Sequence, residues 1–589
     1  MPPPVRPPTG EHAAARRGSG GEAIHVFRSD DNWVPSFPAL ATSAAAPEVG
    51  RVSPRRVPPA GSRTAGVFLP IAAVRDHGCF GIGDLGSAVD FAKWLNVALQ
   101  SSWMIFPSTP TAPTESSPYS AISTLGIHPN LIAARLVPEF VAAGGETQLS
   151  PGTQDGLRRA RLSPRILHDA VTQANSEAFE IAFDRFRGEH LTRGTPRARE
   201  FAAFRGKESR WLRDFTLFMT ISEQEDWRPW WAWPKPLASR RDRALDGFEA
   251  RFGDRLAFHA WVQWLGFKQF RAFKHAANNL GVRLCGDMTF SVVHNSADAW
   301  ANPAQLLRLE LGAPPDVLCA EGQRWGNAVL DFGAMRKDDF AWMRRRVRWI
   351  KRLVNDLRID HVVGLFRECA WTPDGQSWRF VPGDNQELSM SAAQVAQGRE
   401  LISVLASEGL PLVAEDLGVI PPEVRDVLRE AGVPGLKVLR WEREYDSPGQ
   451  PFVDPGHYPE NSVVVTGTHD TENLLTYWHA APQHEREALS AVCARFAAAG
   501  RVEGEFSPAV HGALLGAAFQ AASNGLIVPW PDLIGDANRI NQPGTVGPHN
   551  WTYSLPGPAS ELLSHPQTRE LARCIAAQTL ATGRSDQSS

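Results

Sequence analysis

Short apolar runs that end on a polar or charged residue recur along this chain, separated by stretches whose apolar residues repeat at helical spacing. Eight runs read as strands: Gly66 to Ile71, Ser102 to Pro107, Val282 to Phe290, Asp356 to Asp360, Leu410 to Asp416, Lys437 to Trp441, Ser462 to Asp470 and Gly525 to Pro529. Their near-continuous apolar character is that of strands buried on both faces, as in a parallel sheet. Alternation with helices and a count of eight predict an α/β protein with a (β/α)8 TIM barrel. A doubly wound open sheet is the alternative, and eight strands fit the closed form better. Gly81-Ile82-Gly83-Asp84-Leu85-Gly86 has nearly the spacing of a nucleotide-binding glycine loop. Its third glycine is out of register, so it reads as a tight βα turn with Asp84 near the start of a helix over Ala88 to Ala98.

From about 137 to 280 no strong strand appears. Phe258, Trp261, Val262, Leu265, Gln269 and Phe273 recur at helical spacing, with Gly281 placed to cap the helix. This predicts a large, mainly helical insertion between strands two and three. Within it, Trp227-Arg228-Pro229-Trp230-Trp231-Ala232-Trp233-Pro234 reads as a small aromatic core, with a flat platform for sugar rings as the alternative. The expected division is a Pro/Ala/Arg-rich disordered tail over 1–62, a catalytic barrel over 63–555, and a C-terminal helix (Gln567 to Ala581) and polar tail within 556–589.

Composition narrows the function classes. With 43% hydrophobic and 21% charged residues the chain is ordinary globular protein, and a net charge of −3 gives no reason to expect nucleic acid or an anionic membrane as partner. No apolar run approaches the roughly 20 residues needed to span a bilayer. Six dispersed cysteines show no metal or redox spacing and suggest buried thiols in a reducing compartment, hence the cytoplasm. A plastid transit peptide is the alternative reading of the tail, which holds 11 prolines in 60 residues; Glu11, Glu22, Asp30 and Asp31 count against it. Twenty Trp against five Tyr hints at flat surfaces for carbohydrate.

Four predicted strands carry an acid near their C-terminal end: Asp287, Asp360, Glu415 and Asp470. In a barrel those ends surround one mouth, and acids gathered there are costly unless compensated by cations, protons or substrate. Arg358, two residues before Asp360, shares its strand face; Arg367 is the other cation near in sequence. His361 and His469 adjoin acids. Such a set suits either a divalent metal or glycoside chemistry with its pair of carboxylates. The abundance of Trp and of loop amides favours a neutral, polyhydroxylated ligand.

Read in order, the motifs Gly81–Gly86, Ser117-Pro118-Tyr119, Gly286-Asp287, Ala313-Pro314-Pro315-Asp316 and Gly322-Gln323-Arg324-Trp325-Gly326-Asn327 begin a familiar series. Arg358-Ile359-Asp360-His361, Ala414-Glu415-Asp416-Leu417-Gly418, Gly435–Leu439, Gly467-Thr468-His469-Asp470 and Asn541-Gln542-Pro543-Gly544-Thr545 complete it. Together they resemble the 4-α-glucanotransferases (amylomaltases, disproportionating enzymes) of the α-amylase clan, from Gly66 to about Trp551. The resemblance implies a glycosyltransferase that moves α-1,4-glucan segments from starch, glycogen or maltooligosaccharide donors to sugar acceptors, with no metal or cofactor. It implies Asp360 as nucleophile, Glu415 as acid/base and Asp470 as the third acid holding sugar hydroxyls. Tyr119, Asp287, Asp316, Gln323, Trp325, Asn327, Arg358, His361, His469, Asn541 and Pro543 would bind or position substrate, with Gly322 to Asn327 a loop over the site. Arg358 is expected to keep Asp360 ionised, and neighbouring charge to raise Glu415. Hydrolysis, or glucan binding without turnover, are the competing readings. Thr289, Asn295, Ala328 and the pair Val362-Val363 depart from the usual pattern and bear on substrate handling.

Overall fold

The computed structural model describes residues 51–113, 115–315, 320–496, 504–545 and 547–585. The predicted tail over 1–50, and with it the transit-peptide alternative, lies outside the described residues. Twelve strands are formed among the described residues: β1 Thr64–Phe68, β2 Ser102–Met104, β3 Arg283–Met288, β4 Leu306–Ala313, β5 Gln323–Leu330, β6 Asp356–Ile359, β7 Glu368–Trp371, β8 Trp378–Val381, β9 Leu412–Ala414, β10 Gly435–Val438, β11 Ser462–Val465 and β12 Gly525–Pro529. Eight of them close a parallel barrel in the order β1-β12-β11-β10-β9-β6-β3-β2. Closure runs through β1, which pairs in parallel with β12 (Thr64 with Gly525) and with β2 (Gly66 with Ser102). Gly66 is required there, because a Cβ would sit 2.2 Å from the Ser102 carbonyl oxygen.

All eight predicted barrel strands are present, most of them shorter than the apolar runs that announce them. The ladder stops where polar residues begin, so Asp287 lies inside β3 while Asp360 and Glu415 are each the first residue beyond β6 and β9. Asp470 sits past β11 in the following turn. That places the acids at one mouth, as the C-terminal ends of parallel strands must.

The stretch between β2 and β3 is helical. Its long helices, Pro196–Gln224 and Asp242–Asn279, pack around Phe186, Phe201, Trp261 and Trp264. Two amides from the longer helix fasten it to the barrel's second loop: Gln263 bonds both backbone polar groups of Ile127, and Gln269 both of Ala133. Gly281 ends it at φ +73°, where a side chain would also meet Arg55. The Gly81–Gly86 turn works as the spacing predicts: the Asp84 carboxylate accepts from the Gly86 and Ser87 amides and pairs with Arg135.

Two features differ from expectation. Order begins before residue 63: the Ser53 amide donates to the Asn96 side chain and the Arg55 amide to the Asn279 carbonyl. A second sheet, antiparallel in the order β5-β4-β7-β8, rises beside the barrel from the segments flanking β6. β4 and β5 are partly exposed, and their pairing is broken by irregular register, so neither a continuous apolar run nor a clean alternation marks them. The predicted loop over Gly322 to Asn327 is therefore largely the first half of β5. Arg367 belongs to this sheet and not to the acids: its guanidinium covers the Phe380 ring and donates to the Glu387, Leu388 and Ser389 carbonyls.

Candidate active site

The barrel mouth opens into a cleft of about 1210 Å3. This lies just above the ~300–1,000 Å3 that encloses a small molecule, and admits a short chain of sugar units. Tyr119, Gln323, Trp325, Asn327, Asp360, His361, Glu415, His469, Asp470, Asn541 and Pro543 line it. Asp287 and Arg358 lie beneath its floor, both buried. Asp316 falls outside the described residues.

The floor is organised by one guanidinium. Arg358 Nη1 is 2.6 Å from Asp287 Oδ2 and 3.0 Å from Asp360 Oδ1, and Nη2 is 3.3 Å from Glu415 Oε2. Asp287 takes a further bond of 2.7 Å from the Tyr119 hydroxyl, so it orients the arginine and the tyrosine from below. The turn after β6 adds to this. His361 is held at φ +47°, a conformation unfavourable for a side chain with a Cβ, and there its amide donates to Glu415 Oε2 at 2.6 Å. Behind the turn, Gly364 leaves room for Phe290, whose ring would lie 2.5 Å from a Cβ. Val362 fills the core at the same place, fully buried, so that departure from the family pattern touches packing and not the cleft wall.

A single cation shared by three carboxylates does not offset their burial. Burial pushes Asp360 up to about 8, with Glu415 and Asp287 adding to the rise and Arg358 and His469 opposing it. Glu415 is raised as well, by burial first, against Arg358 and the His361 amide. The two titrate as one system that retains a proton near neutral pH. Arg358 opposes the rise at Asp360, as expected of the cation beside it, but burial outweighs it; the expected rise at Glu415 is present, with burial ahead of neighbouring charge as its cause.

The opposite wall behaves differently. Asp470 is 45% exposed on the cleft. Burial works against its charge, but His469 Nε2 at 3.3 Å and the Asn541 amide, donating to Oδ1 at 2.6 Å, hold its carboxyl down to about 2. Burial lowers His469, yet Asp470 outweighs it and leaves the imidazole raised. Its ring stacks on Tyr119 at 5.2 Å and 15°, so one face of that tyrosine is covered within the wall. His361 is the contrary case, held to about 4 by burial and thus neutral in use. Trp325, on β5, meets it edge to face at 4.9 Å and is 36% exposed to the cleft.

Several cleft residues carry no motif in the sequence. Arg165 and His168 bring in the helical insertion as one wall, and Trp551 packs against Tyr119 and His469. His168 bonds the Trp551 carbonyl at 3.0 Å, which ties insertion to barrel. Nothing in local periodicity marks these residues, because the chain's long-range folding is what makes them neighbours. Among the described residues no group of three or more His, Cys, Asp or Glu is arranged to hold a metal ion.

A closed parallel barrel with three carboxylates at an open cleft has the parts that glycosidic-bond chemistry uses. Sequence comparison narrows the class. The family described as 4-alpha-glucanotransferase matches residues 69–560. The 4-alpha-glucanotransferase of Synechocystis sp. is 32% identical over 512 residues, 83% of this chain and 94% of that protein. That of Thermus thermophilus is 32% identical over 502 residues, 82% and 93% of the two chains. Among solved structures, the amylomaltase of Streptococcus agalactiae in complex with acarbose superposes with a TM-score of 0.73 at 25% identity, covering 89% of this chain and all of that one. The chain belongs to the 4-alpha-glucanotransferase family, and the family favours glycosyl transfer over hydrolysis.

Proposed function

We propose that this enzyme moves segments of α-1,4-glucan from a donor chain to a sugar acceptor by a retaining double displacement at Asp360, Glu415 and Asp470. The observation that carries the reading is the shared guanidinium of Arg358, which lies within reach of both Asp360 and Glu415 at the cleft floor, where burial favours retention of a proton. In the reactive arrangement that proton rests on Glu415. Asp360 attacks the anomeric carbon, the bond to the departing glucan oxygen breaks, and Glu415 gives that oxygen its proton. The acceptor's 4-hydroxyl then returns a proton to Glu415 as its oxygen displaces Asp360. Asp470, ionised through His469 and Asn541, accepts hydrogen bonds from sugar hydroxyls and favours the positively charged ring of the transition state. His361, neutral, serves as hydrogen-bond partner and not as ion. Gln323, Trp325, Asn327 and Pro543 are assigned to the sugars on either side, and Asp316 keeps its expected part on the strength of its motif alone.

Maltooligosaccharides, starch or glycogen are the assigned donors, and glucose or maltooligosaccharides the acceptors. We place the reaction in the cytoplasm, where buried free thiols such as Cys285 and Cys493 persist. Among the described residues no helix is long and apolar enough to cross a membrane. Incubation with maltotriose tests the reading. Free glucose together with longer oligosaccharides is expected; glucose and maltose without longer products would indicate hydrolysis, and an unchanged substrate would indicate binding only.

A further inference from the structure

The aromatic turn of the insertion divides into parts with different fates. Trp233 is core: it is 4% exposed, meets Phe218 and Trp300 at 5.4 and 5.7 Å, and donates its indole N–H to the Arg228 carbonyl. Trp230 is pinned, its amide donating to Asn295 Oδ1 at 3.1 Å and its indole N–H to the His294 carbonyl at 2.9 Å. Trp231 stands against Trp230 at 5.5 Å and 81°, and is 56% exposed. Leaving a large aromatic surface in water forgoes the gain of burying it. Here the surface is held in place by neighbours that cannot turn away. Arg228 and Glu225 pair with each other, while Asp226 and Lys235 of the same stretch stay exposed, so it is the indole face and not the surrounding charge that suits a sugar ring.

The residues that hold this turn also reach the cleft. Phe290 lines the cleft, Val293 pairs with Asn327 of β5, and Asn295 carries Trp230. The five steps from Phe290 to Asn295 span at most roughly 17 Å. The turn therefore lies a few sugar units from the cleft wall.

We propose that Trp231, backed by Trp230, is an outlying carbohydrate platform that holds the far part of a long α-glucan chain whose reacting end lies in the cleft. The proposal rests on the glucan-transfer reading for its ligand. The apolar C–H face of a glucosyl ring packs on the indole while its hydroxyls stay in water. Asn295, an amide, holds Trp230 without adding charge.

The test compares wild type, Trp231→Ala and Trp231→Phe by retardation in gels containing amylopectin, and by kinetics on maltotriose and on long amylose. Removing one aromatic stacking surface predicts about fivefold weaker retention and about fivefold higher KM for amylose in Trp231→Ala. Maltotriose kinetics should stay within about twofold, and Trp231→Phe should recover most of the retention. Unchanged retention would overturn the proposal. So would equal impairment on both substrates, which marks a structural role, or a change in oligomeric mass in Trp231→Ala, which marks an interface between copies. Failure of wild type to disproportionate maltotriose would instead sink the transfer reading, and the gel would still decide the platform.

Discussion

The two sides of the cleft use the same residue type to opposite ends. On the floor, Asp360 and Glu415 are raised because burial and mutual repulsion exceed what one arginine returns. On the wall, Asp470 is held to about 2 although burial opposes its charge, because it has its own imidazole and amide. The floor favours the protonated form; the wall favours the charged one. Neither property belongs to the carboxyl itself. Each follows from how many partners share it and how much water remains.

The largest break in this comparison comes from removing the shared cation. Arg358→Leu leaves Asp287, Asp360 and Glu415 buried without compensation. It should lower kcat/KM by at least ~10³ and destabilise the fold by about 3–5 kcal/mol, measured by steady-state kinetics and denaturant unfolding. Loss of activity with unchanged stability would mean that the acids compensate one another.

A smaller effect separates the two sides by pH. Asp360 has its folded pKa raised from ~3.9 to about 8, so the stability it carries is complete below pH ~4 and is lost as pH rises toward 8. Asp360→Asn should therefore melt above wild type at pH 8 by a few degrees, with the gap closing toward pH 4. Asp470 is depressed to about 2, so its contribution is present above pH ~4 and lost as pH falls toward 2. Asp470→Asn should melt at or below wild type at neutral pH and converge with it only in acid. Equal pH profiles for the two variants would remove the distinction between floor and wall.

Much of this is legible in the chain. Barrel strands announce themselves because both faces are buried, and the acids stand out because each interrupts or follows such a run. The motif around Arg358 points to the floor. The β4–β5 hairpin does not show, since Gln323, Trp325 and Asn327 face the cleft at regular spacing but are mostly polar, as is the other face, so no apolar alternation marks the strand, and register shifts interrupt its pairing with β4. Arg165, His168 and Trp551 do not show because only the packed insertion brings them to the mouth. That Asp360 is raised does not show either, for an electrostatic reason. Proximity in sequence gives it Arg358 as partner, but does not reveal that Asp287 and Glu415 claim the same guanidinium.

The central claim is that Asp360 forms the bond to sugar while Glu415 manages the proton. Glu415→Gln incubated with α-maltosyl fluoride tests it directly, because fluoride leaves without an acid while the second step lacks its base. Mass spectrometry of the digested protein should find a maltosyl group on the peptide containing Asp360. Release of fluoride with no adduct, or an adduct on Asp287 or Asp470 instead, would contradict the account.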